Sequence, residues 1–166
     1  MAMEGLAARP ASASRVSLAI ITEPRQANAF GTIHGGVLLK LADECGAISA
    51  LRHAGRGQVT TAAIDSLMFL GPVFVGERVE IVAEVSYVGR TSIETRIEIF
   101  AEPYERAEPR RVAIGHALYV ALDKEDRRPR PVPPLLIETE ADRLRMEQAR
   151  ARQAVRLARR AEALQA

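Results

Sequence analysis

One stretch of the chain combines residue types that could do chemistry on a carbonyl group. Asn28 can hydrogen-bond a carbonyl or orient a water, and Gly35 and Gly36 stand where a loop opens into a helix. The first N–H groups of a helix lack intrahelical partners and carry partial positive charge, which suits a developing oxyanion. Asp43 follows Gly36 by seven residues, as a lone carboxylate in an otherwise apolar helix, and could act as an acid or a base.

Each of these residues also has a purely structural interpretation. Asp43 could be a core carboxylate held by hydrogen bonds or paired with Lys40, since a lone buried charge is costly. Asn28 could serve the turn in which it lies, and the glycine pair could simply form a tight loop. We expect His34 to support the loop rather than act as a base. We expect Cys45, on the apolar stripe of the helix, to be a small core residue.

The spacing of Gly36 and Asp43 constrains how they could act together. At about 1.5 Å per residue, they lie roughly 10 Å apart along one helix, too far for both to contact one reacting carbon. Joint action therefore requires Asp43 from a second copy of the chain. The sequence thus links function through this pair to a dimer with the site at its interface.

Hydrophobic periodicity predicts the elements that position these residues. Apolar residues recur at three- and four-residue steps over residues 36–53, nearly all round, which indicates a buried helix. Strands are predicted over residues 15–22, 59–70, 78–88, 92–101 and 111–122. Four of these strands follow one another without an intervening helix, which favours an antiparallel sheet. The fold class is therefore α+β, with a five-stranded antiparallel sheet curled around a long central helix.

The chain divides into four segments by composition. Residues 1–14 are predicted to be a flexible N-terminal arm, residues 15–122 the globular domain, and residues 123–137 a linker rich in proline and arginine. Residues 138–166 are a strong helix former, but the apolar stripe of this C-terminal helix is thin. Its sequence leaves open whether the helix docks on the domain or stays solvated.

The composition also excludes several classes of function. The 23 basic residues nearly balance the 21 acidic ones without forming a basic stripe, so no nucleic-acid partner is expected. No apolar run approaches the roughly 18 residues that span a membrane, and no signal-peptide pattern opens the chain. A single cysteine forbids an intrachain disulfide, and we expect a cytoplasmic protein. No histidine, cysteine and carboxylate cluster has metal-ligand spacing.

Three stretches together resemble the hotdog-fold acyl-CoA thioesterases of the acyl-CoA hydrolase type. They are residues 24–36 (PRQANAFGTIHGG) running on to Asp43, residues 60–73 (TTAAIDSLMFLGPV), and residues 85–92 (VSYVGRTS). The likeness covers about residues 15–133. It implies a helix wrapped by an antiparallel sheet, paired into a dimer with one continuous sheet and often assembled further into a hexamer, a trimer of dimers.

The resemblance also implies the chemistry and its residues. The reaction would be hydrolysis of an acyl-CoA thioester to a free acid and CoA, with no cofactor because coenzyme A is part of the substrate. Asp43 and Asn28 would be catalytic across the dimer interface, and the Gly36 N–H would polarise the thioester carbonyl. The remaining candidates are substrate-binding residues: His34, Gly35, Arg90, Thr91 and Ser92, of which the last three would lie near the CoA phosphates or pantetheine.

Other functions remain compatible with the pattern. One is a non-hydrolytic, regulatory protein that binds acyl-CoA, against which the presence of both Asn28 and Asp43 argues. Another is a dehydratase or hydratase, which would need a histidine paired with a carboxylate. Met68 departs from the family pattern, since relatives usually carry a polar residue there. The arginine-rich C-terminal helix has no role that the resemblance supplies, and could recruit a partner.

Overall fold

A five-stranded antiparallel sheet wraps one long helix in the computed structural model, which describes residues 6–105 and 108–165. The helix is α1 (Gly35–Ala54). The sheet consists of β2 (Val16–Ile21), β3 (Gln58–Phe69), β4 (Arg78–Val88), β5 (Ser92–Glu102) and β6 (Arg110–Leu122) in the order β2-β4-β5-β6-β3. Outside it, β1 (Arg9–Pro10) pairs in parallel with β7 (Leu135–Leu136), and α2 (Glu140–Ala163) ends the described chain. The predicted α+β hotdog architecture is confirmed.

Alternation along the strands places one face of the sheet against α1. In β4, Val79, Ile81 and Ala83 are fully buried, while the residues between them are partly exposed. Cys45 of α1 is also fully buried, as predicted, and its thiol donates to the carbonyl of Ile81 at 3.5 Å. Burial raises the pKa of this thiol to about 11. Cys45 is therefore a core residue.

The helix begins and ends within one residue of the predicted positions. His34 is its N-cap, and Gly55 ends it in a left-handed conformation with φ 78°, which favours glycine. The sequence predicts that α1 is buried all round. Within a single chain, one face of the helix is buried and the other is exposed. Lys40 and Glu44 form an exposed ion pair at 2.5 Å on the other side.

The segments before and after the domain pack against the C-terminal end of α1. Residues 9–14 were predicted to belong to a flexible arm, yet Arg9 donates to the carbonyls of Arg52 at 3.1 Å and His53 at 2.9 Å. Ala11 and Ser14 are buried in the turn that follows. The contacts have a physical reason, because the last carbonyls of a helix need donors. Residues 1–5 of the predicted arm lie outside the described residues.

Of the two possibilities for the C-terminal helix, the structure shows docking. Helix α2 lies over the face of the sheet that turns away from α1, and Ala149 is its buried apolar contact. Ion pairs lie beside this apolar contact. Arg152 and Arg156 reach the fully buried Glu94 of β5, and Arg156 also pairs with Asp65 at 2.6 Å. None of the described helices is both long and apolar enough to cross a membrane.

Candidate active site

The loop before α1 holds Asn28 in a turn. The Asn28 Oδ1 accepts from the backbone N–H groups of Phe30 at 2.9 Å and Thr32 at 3.3 Å. Its Nδ2 donates to the hydroxyl of Thr32 at 2.9 Å. The structural interpretation of Asn28 therefore applies in this structure. An amide nitrogen carries two hydrogens, so one donor of Asn28 remains available to a ligand carbonyl.

The start of α1 offers one free backbone donor. The Gly36 N–H donates to the Nδ1 of His34 at 2.9 Å, so His34 caps the helix and supports the loop. The Gly35 N–H has no acceptor among residues 6–105 and 108–165. A mostly apolar cavity of about 450 Å³ opens beside Gly35, between the start of α1 and the end of β3. Of the two glycines, Gly35 is thus the one whose N–H is open to a ligand.

Asp43 does not line that cavity, and two hydroxyl groups hold its carboxylate. The Thr61 hydroxyl of β3 donates to the Asp43 Oδ1 at 2.8 Å. The Tyr119 hydroxyl of β6 lies 3.0 Å from the Asp43 carbonyl oxygen and 3.3 Å from the same Oδ1. The pairing of Asp43 with Lys40 that the sequence allowed is wrong, because Lys40 bonds Glu44 instead.

The half-buried carboxylate keeps one oxygen open. Within the described part of the chain, no donor contacts the Asp43 Oδ2. Burial and the neighbouring Asp43 carboxylate raise the pKa of Tyr119, so its phenol stays protonated and donates. A carboxylate fixed through one oxygen and open through the other can take a proton from water or attack a carbonyl directly.

Sequence reasoning missed Thr61 and Tyr119 as neighbours of Asp43. They face each other across the β3–β6 ladder, on the side of the sheet that carries α1. One signal was present in the sequence. Tyr119 stands between Ala117 and Ala121 on the inward face of β6, so a single hydroxyl reaches toward the helix among small residues. The pattern indicates that the Tyr119 side chain points toward the helix, but not which residue it contacts.

The predicted CoA-contacting residues form the turn between β4 and β5. The carbonyls of Arg90 and Thr91 accept from Val132 at 3.1 Å and Ala121 at 2.9 Å, and the Gly89 N–H donates to the Ser92 carbonyl at 2.8 Å. Beside this turn, a cavity of about 670 Å³ is lined by Thr91, Ser92 and residues of α2. Residues of α2 line this cavity, whereas Asp43 does not.

Strand β3 leaves an unpaired edge with apolar side chains. It is the last strand of the sheet, and its residues Ile64, Met68 and Phe69 are 40%, 61% and 50% exposed. On α1, Ile48 and Leu51 are exposed as well. A long apolar edge strand is an association surface, because its backbone groups and side chains gain from pairing with another chain.

Comparison with known proteins gives a consistent result. The family model of the thioesterase superfamily matches residues 30–107. An uncharacterized acyl-CoA thioester hydrolase of Zymomonas mobilis is 35% identical over 137 residues, covering 80% of this chain and 91% of that protein. The cytosolic acyl coenzyme A thioester hydrolase of Mus musculus is 32% identical over 143 residues, covering 85% of this chain and 37% of that longer protein.

Solved structures are similar over nearly the whole chain. The acyl-CoA hydrolase of Staphylococcus aureus, solved with butyryl coenzyme A, coenzyme A and coenzyme A disulfide, matches with a TM-score of 0.87 and 33% identity. The match covers 95% of this chain and 94% of that one. Other structures of that enzyme are alanine variants of an aspartate, an asparagine and a threonine, and several further matching thioesterases are hexameric.

Proposed function

Because the chain belongs to the hotdog-fold acyl-CoA thioesterases of the thioesterase superfamily, we propose that it hydrolyses acyl-CoA thioesters to a free carboxylic acid and CoA. The observation that carries this proposal is the state of Asp43. Its carboxylate is anchored by the Thr61 and Tyr119 hydroxyls through one oxygen and left open through the other. Relatives solved with CoA and its butyryl ester support the substrate class.

The active site is completed by a partner subunit. Asp43 and the start of α1 lie roughly 10 Å apart along one helix, so a substrate carbonyl cannot reach both within one chain. Pairing the β3 edges of two chains would extend the sheet across the dimer and cover Met68 and Phe69. The substrate would then lie between the loop of one chain and Asp43 of the partner subunit. Assembly into a hexamer, a trimer of dimers, is supported by the hexameric relatives.

The donors at the loop would stabilise the carbonyl oxygen as it gains negative charge. The free Nδ2 hydrogen of Asn28 and the unpartnered N–H of Gly35 are in place for this role. Gly36 could join them if the imidazole of His34 turns away, because that imidazole now accepts the Gly36 N–H. His34 would thus control access to the donor that the sequence predicted.

Two routes for Asp43 are compatible with an open carboxylate oxygen. As a general base, it takes a proton from water while the water oxygen adds to the carbonyl carbon. The carbon–sulfur bond then breaks, and the proton passes to the leaving thiolate. As a nucleophile, it forms a mixed anhydride and releases CoA thiolate, and water then hydrolyses the anhydride. Neither route requires a metal or redox cofactor, and coenzyme A enters as part of the substrate.

Recognition of the CoA moiety falls to the turn between β4 and β5. Arg90 is exposed, and the hydroxyls of Thr91 and Ser92 line the adjacent cavity, which suits phosphate or pantetheine groups. We place the reaction in the cytoplasm, on the support of the cytosolic mouse relative.

A second candidate is acyl-CoA binding without turnover. This function is favoured because the Gly36 N–H and the side-chain oxygen of Asn28 are both already hydrogen-bonded within the chain. The dehydratase alternative is weaker, because the Nδ1 of His34 bonds the Gly36 N–H rather than a carboxylate.

The test is thiol release from a panel of acyl-CoA esters of increasing chain length, including aromatic ones. Wild type and Asp43→Asn are compared with Glu44→Gln, which removes the neighbouring exposed carboxylate of α1. Turnover by wild type and Glu44→Gln, with a loss of at least about 10²-fold in Asp43→Asn, is the expected result. Saturable CoA binding without turnover by the wild type would favour the binding protein. A folded Asp43→Asn protein with full activity would refute the mechanism.

A further inference from the structure

We propose that Tyr119 is a positioning residue for Asp43, whose hydroxyl holds the carboxylate in its working orientation. This inference rests on the proposed thioesterase function, in which Asp43 is the reacting carboxylate. Tyr119 would touch no substrate, because its side chain is fully buried between the sheet and α1.

Two contacts of the Tyr119 hydroxyl restrict the orientation of the Asp43 side chain. The Tyr119 hydroxyl lies within reach of both the carbonyl oxygen and the Oδ1 of the same residue, at 3.0 Å and 3.3 Å. One donor that bridges the main chain and the side chain of Asp43 limits rotation of that side chain. Thr61, on the neighbouring strand β3, donates to the same Oδ1, so Oδ2 is the oxygen that stays open.

Gly46 makes this approach possible. It lies three residues after Asp43 on α1, and a Cβ at this position would stand 2.4 Å from the Tyr119 hydroxyl oxygen and 2.9 Å from the Thr95 hydroxyl. Such a close approach would force the Tyr119 and Thr95 hydroxyls to move. The glycine has ordinary helical backbone angles, so α1 does not need it for its conformation. Glycine within a helix costs about 1 kcal/mol relative to alanine, so its presence here is explained by the contact it permits.

The protonation state of Tyr119 suits a donor. Burial first, and then the negative charge of Asp43, raise the pKa of the phenol above its usual value. The hydroxyl therefore keeps its hydrogen over the range in which a carboxylate base is ionised. The hydrogen bond to Oδ1 is therefore present in the form of Asp43 that acts as a base or a nucleophile.

The test is Tyr119→Phe, which keeps the ring and removes only the oxygen. Tyr104→Phe, at a 95% exposed position away from the site, is the matched control. Two measurements are made on dimeric protein: kcat and KM for an acyl-CoA, and the carboxyl-carbon NMR signal of Asp43 at one fixed pH, which reports the hydrogen bonding and orientation of its side chain. We expect kcat to fall about tenfold with little change in KM, and the Asp43 carboxyl signal to shift because its Oδ1 loses a donor.

The outcomes separate this inference from the proposed function. A Tyr119→Phe protein with unchanged kcat and an unchanged Asp43 carboxyl signal would overturn the positioning role. So would a general loss of activity with an unchanged Asp43 signal, since that is the result of a merely structural role. If the wild type itself turns over no ester, the proposed function fails, and the NMR signal still decides whether Tyr119 acts on Asp43. Gly46→Ala, which would push Tyr119 away, should change the Asp43 signal and lower kcat in the same way.

Discussion

Neutralising Glu94 should release helix α2 from the sheet. Glu94 is fully buried, accepts from Arg152 at 2.7 Å and pairs with Arg156, while the Ser86 hydroxyl donates to it at 2.7 Å. Within α2, Ala149 is the one described residue that is buried, and burial of its methyl group contributes on the order of 1 kcal/mol. We therefore expect the docking of α2 to depend on whether the charges of this cluster stay paired.

The size of the effect follows from the contacts that Glu94→Gln leaves behind. Removing one partner of a buried ion pair costs about 3–5 kcal/mol, because the other charge stays behind uncompensated. Arg156 keeps Asp65 at 2.6 Å, and glutamine can still accept one hydrogen bond, so the lower end applies. A loss of about 3 kcal/mol shifts the docking equilibrium of α2 by on the order of 100-fold.

Hydrogen exchange measures this equilibrium segment by segment. Amides of α2 in Glu94→Gln should exchange on the order of 100-fold faster, whereas those of β4 and α1 should keep their protection. Glu98→Gln is the control on the same strand and face, since its partners Arg96 and Arg111 lie outside α2. Unchanged exchange in α2 of a folded Glu94→Gln protein would show that the ion cluster does not hold the helix.

Two further predictions concern the half-buried His116 and the fully buried Cys45. Burial, with Arg152 and Arg96 nearby, lowers the pKa of His116 to about 4, so the unfolded chain binds more protons than the folded one between that value and about 6.5. The free energy of unfolding should therefore fall as the pH drops through this window, and urea titrations of His116→Gln should show a shallower fall; an identical slope would contradict the shift. The Cys45 thiol, fully buried with its pKa raised to about 11, should resist alkylation at about pH 8 and react fully in denaturant. Labelling of the native protein at the rate of a free thiol would disprove its burial.

Local patterns in the sequence predicted helix α1 and the five strands of the main sheet, but not the short strands β1 and β7. Alternation in β4 and three- and four-residue steps in α1 depend on neighbouring residues, and Gly55 marks the helix end through its own backbone preference. The position of Asp43 in α1, far along the helix from Gly36, was also readable, because helix rise is constant. That distance is the basis of the prediction that two chains share the site.

Only the tertiary structure decided what surrounds these residues. Tyr119 meets Asp43 across 76 residues of chain, and Arg152 meets Glu94 across 58. Such contacts depend on strand register, including the irregularities in β3 that place Thr61 opposite Tyr119. An aspartate or glutamate in the sequence does not reveal whether its carboxylate is free, hydrogen-bonded to a hydroxyl or paired with an arginine. The reason is physical: the energy of a buried polar group depends on partners brought by the fold, whereas the periodicity of a strand or helix is carried by the segment itself.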